Sequence, residues 1–110
     1  MELITGGRYQ GKKEFARNEL GASEENIISN FNEIVKKILE EGKVPYIYVE
    51  DIIKNRPDCV VIADEVGCGI IPADEKERLY RQITGRLVCV LSENSEHVYR
   101  VVAGLGIKLK

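Results

Sequence analysis

Near the start of the chain, Gly6, Gly11 and Lys12 stand at the spacing G-x-x-x-x-G-K. Glycines placed in this way let backbone N–H groups wrap a phosphate, while the lysine reaches its outer oxygens. This reading makes Gly6, Gly7, Arg8, Tyr9, Gln10, Gly11, Lys12 and Lys13 the nucleotide-binding residues, with Lys12 catalytic as well. The residue after the lysine is ordinarily Ser or Thr, whose hydroxyl ligates Mg²⁺ beside the β- and γ-phosphates. Here it is Lys13, a cation that would repel the metal, replace part of its charge, or turn to solvent. A glycine-rich strand-to-helix turn with a solvated lysine has the same local pattern, so the loop alone leaves both readings open.

Further along, Asp64 and Glu65 follow the apolar run Cys59 to Ala63. A carboxylate at a strand tip beside a phosphate loop orients an attacking hydroxyl or holds a metal's water shell, so Asp64 is a candidate for phosphate or substrate contact and Glu65 a candidate for catalysis. The plain alternative is a polar strand end facing solvent. Arg78 and Arg81 are three residues apart and share a helix face, so both reach toward phosphate or substrate, or form a solvated face paired with Glu75 and Glu77. His97, the one histidine, reads as a strand-edge residue and not as an acid–base catalyst. Cys59, Cys68 and Cys89 form no C-x-x-C pair, and no metal site is expected. Cys59 and Cys89 are expected in the core, and Cys68 in an accessible loop.

These residues need elements to hold them. Glu2 to Thr5 reads as a strand entering the glycine loop, and Lys12 to Leu20 as a helix stopped by Gly21. Ser23 reads as the N-cap of a second helix carrying Ile27, Ile28, Phe31, Ile34, Val35, Ile38 and Leu39, ended by Gly42. Val44 to Val49 (VPYIYV) reads as a strand, with Tyr46, Tyr48 and Tyr99 packing on the sheet, and Glu50 to Asn55 as a short helical turn. Cys59 to Ala63 reads as a strand buried on both faces, and Val66 to Pro72 as a loop. Asp74 caps a long helix to about Leu91, with Glu77 completing a capping box and Leu79, Ile83, Leu87, Val90 and Leu91 on its buried side. Val98 to Ala103 is the last strand, followed by a tail from Ile107 to Lys110.

Strands alternating with helices predict an α/β layered fold with a small, mostly parallel sheet. The 110 residues suffice for a single domain, 1–110. A net charge of −2 argues against a nucleic-acid partner, whose phosphates call for a basic excess. Apolar runs are too short for a membrane span, no secretory leader is evident, and the unpaired cysteines suit a reducing compartment, so a cytoplasmic protein is expected.

The segments VVIADEVGCGIIP, ERLYRQITGRL and HVYRVVAGLGIKLK decide between the two readings of the loop. Together with Thr5, Gly6, Gly7, Gly11, Lys12, Phe15 and Ala16 at the start, they resemble the adenosylcobinamide kinase / adenosylcobinamide-phosphate guanylyltransferase family of cobalamin biosynthesis. The matching positions are Glu65, Val66, Gly67, Gly69, Ile70 and Pro72, then Arg78, Arg81, Gly85, Arg86 and Leu87, then Val102, Gly104, Leu109 and Lys110. The resemblance spans roughly the first 20 and the last 50 residues, and implies a short, divergent member. It implies an α/β three-layer P-loop NTPase-like sandwich with a small, mostly parallel sheet, ATP or GTP as ligand, cobinamide as acceptor and a homo-oligomer. The departures are Gln10 for the loop Ser, Lys13 for the metal-ligand Ser, Asp64 for an Asn, and Val88-Cys89 for Asn-Gln. The family's guanylylated histidine has no counterpart, since His97 lies elsewhere. The resemblance thus implies a nucleotide-binding protein whose enzymatic step, if retained, is the kinase step. The alternative is an inactive binding or assembly protein that retains the fold.

Overall fold

Alternate residues of a strand face opposite sides of its sheet, and the first strand shows the consequence. Leu3 and Ile4, both fully buried, belong to two different apolar clusters. The computed structural model describes residues 1–65 and 74–110. Its sheet has five strands: β1 (Glu2–Gly6), β2 (Ile27–Ile28), β3 (Val60–Asp64), β4 (His97–Val102) and β5 (Leu105–Lys108), in the order β2-β3-β1-β4-β5. β1 lies parallel to both β3 and β4, β2 lies parallel to β3, and only β5 runs antiparallel, as a hairpin on β4. The fold is therefore α/β with a mostly parallel sheet.

Helices cover both faces. On one, α1 (Lys12–Asn18) packs Phe15 and Ala16 with Ile4, Val60, Ile62 and Val101. On the other, α2 (Phe31–Glu40), α3 (Pro45–Asn55) and α4 (Glu75–Asn94) pack Phe31, Val35, Val49, Ile52, Leu87 and Leu91 over Leu3, Val61, Ala63 and Val98. β3, apolar without alternation and buried from Val60 to Ala63, is sandwiched between them, as its sequence predicts.

Several expectations are corrected. VPYIYV is the start of α3, not a strand. Pro45 takes the first helical turn, where its missing N–H costs nothing, and Pro45, Val49 and Ile52 are buried at helical spacing. Tyr46 is consequently exposed on a helix and Tyr48 half-buried there, while Tyr99 does lie on the sheet, 5.3 Å from the Phe15 ring. The second helix starts at Phe31: Ser23 precedes only a 3₁₀ turn (Glu24–Asn26), and Ile27–Ile28 is drawn into the sheet as β2. Asn30, at φ 59°, separates strand from helix.

Asp74 caps α4 as expected, accepting the Lys76 N–H at 2.9 Å, and the helix runs on to Asn94. Glu77 reaches Lys36 at 3.0 Å and not back to the cap, and Leu79 is exposed while Tyr80 and Thr84 are buried. The tail after Gly104 is strand β5. Cys59 is buried, but Cys89 is exposed on α4. The loop Val66 to Pro72, with Gly67, Cys68 and Gly69, lies outside the described residues. No helix among the described residues is long and apolar enough to cross a membrane.

Candidate functional site

In parallel sheets, ligands collect beyond the carboxyl ends of the strands, where the chain departs to opposite sides. β1 is the central strand, and the glycine loop leaves from its carboxyl end. Gly6 has φ 148°, and a Cβ there would lie 2.4 Å from the Val101 carbonyl oxygen, so only glycine lets β1 and β4 approach this closely at the loop entrance. Tyr9 and Gly11 both take positive φ, of 60° and 88°, which turns the loop sharply before α1 begins at Lys12. The Tyr9 side chain is 98% exposed.

Lys12 is the centre of the arrangement. Although charged, it is only 7% exposed. Its ammonium donates to the Gly7 carbonyl at 2.6 Å, folding back over its own loop, and lies 2.8 Å from Asp64 Oδ1 at the tip of β3. A buried ammonium needs such partners, because desolvation otherwise costs several kcal/mol. Arg8 Nε approaches the second oxygen of the same carboxylate at 3.6 Å, and its Nη2 lies 3.9 Å from Glu33. Lys13 lies 3.8 Å from Glu24, which also pairs with Arg17. The hydrogen bond from Arg17 holds the Glu24 carboxyl below the usual carboxylate range. The loop cations Arg8, Lys12 and Lys13 thus each carry a counter-ion.

The loop is also tied to the β4–β5 turn. Gln10 Oε1 accepts the Ala103 N–H at 2.6 Å, and the Gln10 carbonyl accepts the Gly104 N–H at 2.8 Å. Gln10, which departs from the family's Ser, therefore fastens the loop from the far side. Between loop, turn and β2 end lies a cavity of about 600 Å³, a size that suits a nucleotide-sized ligand. Tyr9, Gln10, Gly11, Lys12, Lys13 and Asp64 line it, together with Ser29, Asn30, Ala103 and Gly104.

The other predicted site residues are distributed differently. Glu65 does not line this cavity. It makes a two-point ion pair with Arg100 of β4, at 2.7 and 3.2 Å, while its N–H donates to the Gly6 carbonyl. Arg78, exposed, and Arg81, half-buried, lie on α4 and are not among the cavity's lining residues. His97 Nδ1 lies 3.3 Å from the Lys110 carbonyl oxygen at the sheet's lower end.

Sequence reasoning missed Asn32, whose carboxamide makes two hydrogen bonds to the Asp64 backbone, and missed Arg100. The polar run Ser29, Asn30 and Asn32 straight after Ile27–Ile28 was the available signal, but it was read as helix interior. Among the described residues, no group of three or more His, Cys, Asp or Glu side chains could hold a metal ion. At the position where a loop hydroxyl would ligate Mg²⁺ stands Lys13, held toward Glu24, so the loop presents no oxygen ligand there.

A family model described as cobinamide kinase / cobinamide phosphate guanyltransferase matches residues 43–109. The bifunctional adenosylcobalamin biosynthesis protein CobU of Salmonella typhimurium is 39% identical over 51 residues, which is 46% of this chain and 28% of that protein. The protein of the same description in Escherichia coli matches to the same extent. The alignment thus spans 28% of the length of each relative. The glycine loop lies outside the matched segment, yet Gln10, Lys12 and Gly6 bond to Ala103, Gly104, Asp64 and Glu65 within it.

Proposed function

The chain belongs to the cobinamide kinase / cobinamide phosphate guanyltransferase family, and from that premise we propose that residues Gly6 to Lys13 bind the phosphates of ATP or GTP. The observation that carries this reading is the placing of Lys12: buried, folded over its own loop, and facing a 600 Å³ cavity at the carboxyl end of the central strand. On the same reading the sheet is that of a three-layer P-loop sandwich. Phosphate would enter from the cavity and draw the Lys12 ammonium from Asp64 Oδ1 onto its outer oxygens. The N–H groups of the first turn of α1 lack helical acceptors and would face the same anion. The enzymatic step that fits is phosphoryl transfer to cobinamide, which needs positioning and charge stabilisation but no covalent protein intermediate. Asp64, freed from Lys12, would be the carboxylate nearest the transferring group. Glu65, tied to Arg100, supports β1 and β4 beside it. Lys13 offers Mg²⁺ no oxygen ligand, so on this reading the metal would come in on the nucleotide phosphates and not be held by the loop.

A second reading has support of its own. The retention of every loop cation by an internal carboxylate, and the lysine at the metal-ligand position, suit a binding or assembly protein that no longer transfers phosphate. Val102, Leu105, Ile107 and Leu109 expose apolar side chains along the β4–β5 edge, a surface that suits self-association.

Calorimetric titration of ATP and GTP, in Mg²⁺ and in EDTA, separates the two, with Lys12→Ala as control. Mg²⁺-dependent micromolar binding lost in Lys12→Ala supports the kinase reading, to be followed by an assay with cobinamide. Binding indifferent to Mg²⁺ supports the second reading, and no binding in either buffer overturns the nucleotide site.

A further inference from the structure

Asp64 is the last residue of β3, and it extends past the end of its neighbour. The β2–β3 ladder stops at Ile28 opposite Val61. On β3 the N–H of Glu65 turns to the Gly6 carbonyl of β1. Alternation therefore turns the N–H and C=O of Asp64 the other way, to the side where β2 no longer runs. Two backbone groups are left there without a strand partner.

Asn32, in the first turn of α2, supplies one. Its Oδ1 accepts the Asp64 N–H at 3.0 Å, and its Nδ2 donates to the Asp64 carbonyl at 3.1 Å. The carboxamide presents the acceptor and donor that a strand residue would. It stands on a helix whose neighbouring Phe31 and Val35 are wholly buried, so the anchor itself is rigid.

We propose that Asn32 is a positioning residue of the candidate site, which acts through Asp64 on Lys12. By pinning the Asp64 backbone at two points, it aims the carboxylate at the Lys12 ammonium, 2.8 Å away, and at Arg8. Lys12 is thereby held over Gly7 in the pose from which it meets a phosphate. The functional part of this proposal rests on the phosphate-binding reading of the loop. A strand tip without the carboxamide would let the carboxylate swing, and Lys12 would lose its fixed counter-ion.

The test uses Asn32→Ala, Asp64→Asn and the double variant. The rate of acetylation of the Lys12 amine by a small water-soluble reagent is read by peptide mass spectrometry. Affinity for inorganic tripolyphosphate is read by calorimetry, and folding by circular dichroism. In Asn32→Ala, Lys12 acetylation should rise about fivefold, the factor that one net hydrogen bond supplies. Asp64→Asn should raise it as much or more, and adding Asn32→Ala to Asp64→Asn should change it by less than about twofold, because the two act in series. Asn32→Gln, which keeps the carboxamide on a longer stem, should fall between wild type and Asn32→Ala, and carries the comparison if the alanine variant does not fold. Unchanged Lys12 reactivity in Asn32→Ala, or effects that multiply independently in the double variant, overturns the proposal. Failure of the phosphate reading looks different: wild type then does not bind tripolyphosphate although the reactivity pattern holds, which upholds the clamp and overturns the site.

Discussion

The Lys12–Asp64 pair is asymmetric, and the asymmetry predicts which partner the fold needs more. Lys12 is 7% exposed and, among the described residues, its ammonium has two partners, Gly7 O at 2.6 Å and Asp64 at 2.8 Å. In Asp64→Ala the buried charge keeps one neutral acceptor and loses its counter-ion. Stripping a buried charge of its partner costs about 3–5 kcal/mol, and the 28% exposure of the Asp64 side chain lets water in and lowers this to about 2–3 kcal/mol. Lys12→Met removes the ammonium and keeps the apolar stem, while Asp64 retains Arg8 at 3.6 Å and contact with solvent, so the expected cost is about 1 kcal/mol. The double variant Lys12→Met/Asp64→Ala should be more stable than Asp64→Ala alone by about 1 kcal/mol, because the stranded charge is gone. Urea unfolding followed by circular dichroism measures all three; with a slope of about 1.5 kcal/mol per molar, Asp64→Ala lowers the midpoint by about 1.3–2 M. Equal losses in the two single variants, or a double variant no more stable than Asp64→Ala, would refute the view that Lys12 is a buried charge dependent on Asp64.

Gly6→Ala should destabilise the chain by about 3 kcal/mol or more in the same assay, since its Cβ would meet the Val101 carbonyl oxygen at 2.4 Å from a backbone at φ 148°. Cys89 should react with a thiol reagent in the native protein and Cys59 only on unfolding, as peptide mapping would show, because Cys59 is buried and burial pushes its thiol up from the ordinary value. Glu24 titrates below its unfolded value because Arg17 hydrogen-bonds it. The stability this contributes is therefore complete above about pH 4.3 and is lost as pH falls through the folded value. Arg17→Gln should raise the Glu24 titration midpoint seen by NMR, and no upward shift would contradict the pairing. Gln10→Ala should speed amide exchange at Ala103, whose N–H the side chain holds, more than at Gly104, whose N–H bonds the Gln10 backbone carbonyl that the variant keeps.

What the sequence by itself determined is what short-range chemistry encodes. The uninterrupted apolar run of β3, the Asp74 cap of α4 and the glycines of the loop each specify their conformation through neighbours a few residues away. The family, too, was legible, because its residues cluster in contiguous segments, and the loop was legible as a loop. Tertiary structure decided the rest. VPYIYV has the composition of a strand, yet Pro45 can open a helix and the sheet needed a helical cover on the face of Val49 and Ile52. Ile27–Ile28 continues a helical period, yet β3 needed an edge partner, and Asn30 at φ 59° lets the chain turn after two residues. Leu105–Lys108 reads as a tail until β4 offers it a ladder. The site shows the same division. Lys12 could be named from its spacing, but its counter-ion could not. The Asn32–Asp64 clamp joins residues 32 apart, and the Arg100–Glu65 pair residues 35 apart. At such separations no periodicity or cap links the partners; only the sheet order β2-β3-β1-β4-β5 brings their strand ends together at the mouth of the loop.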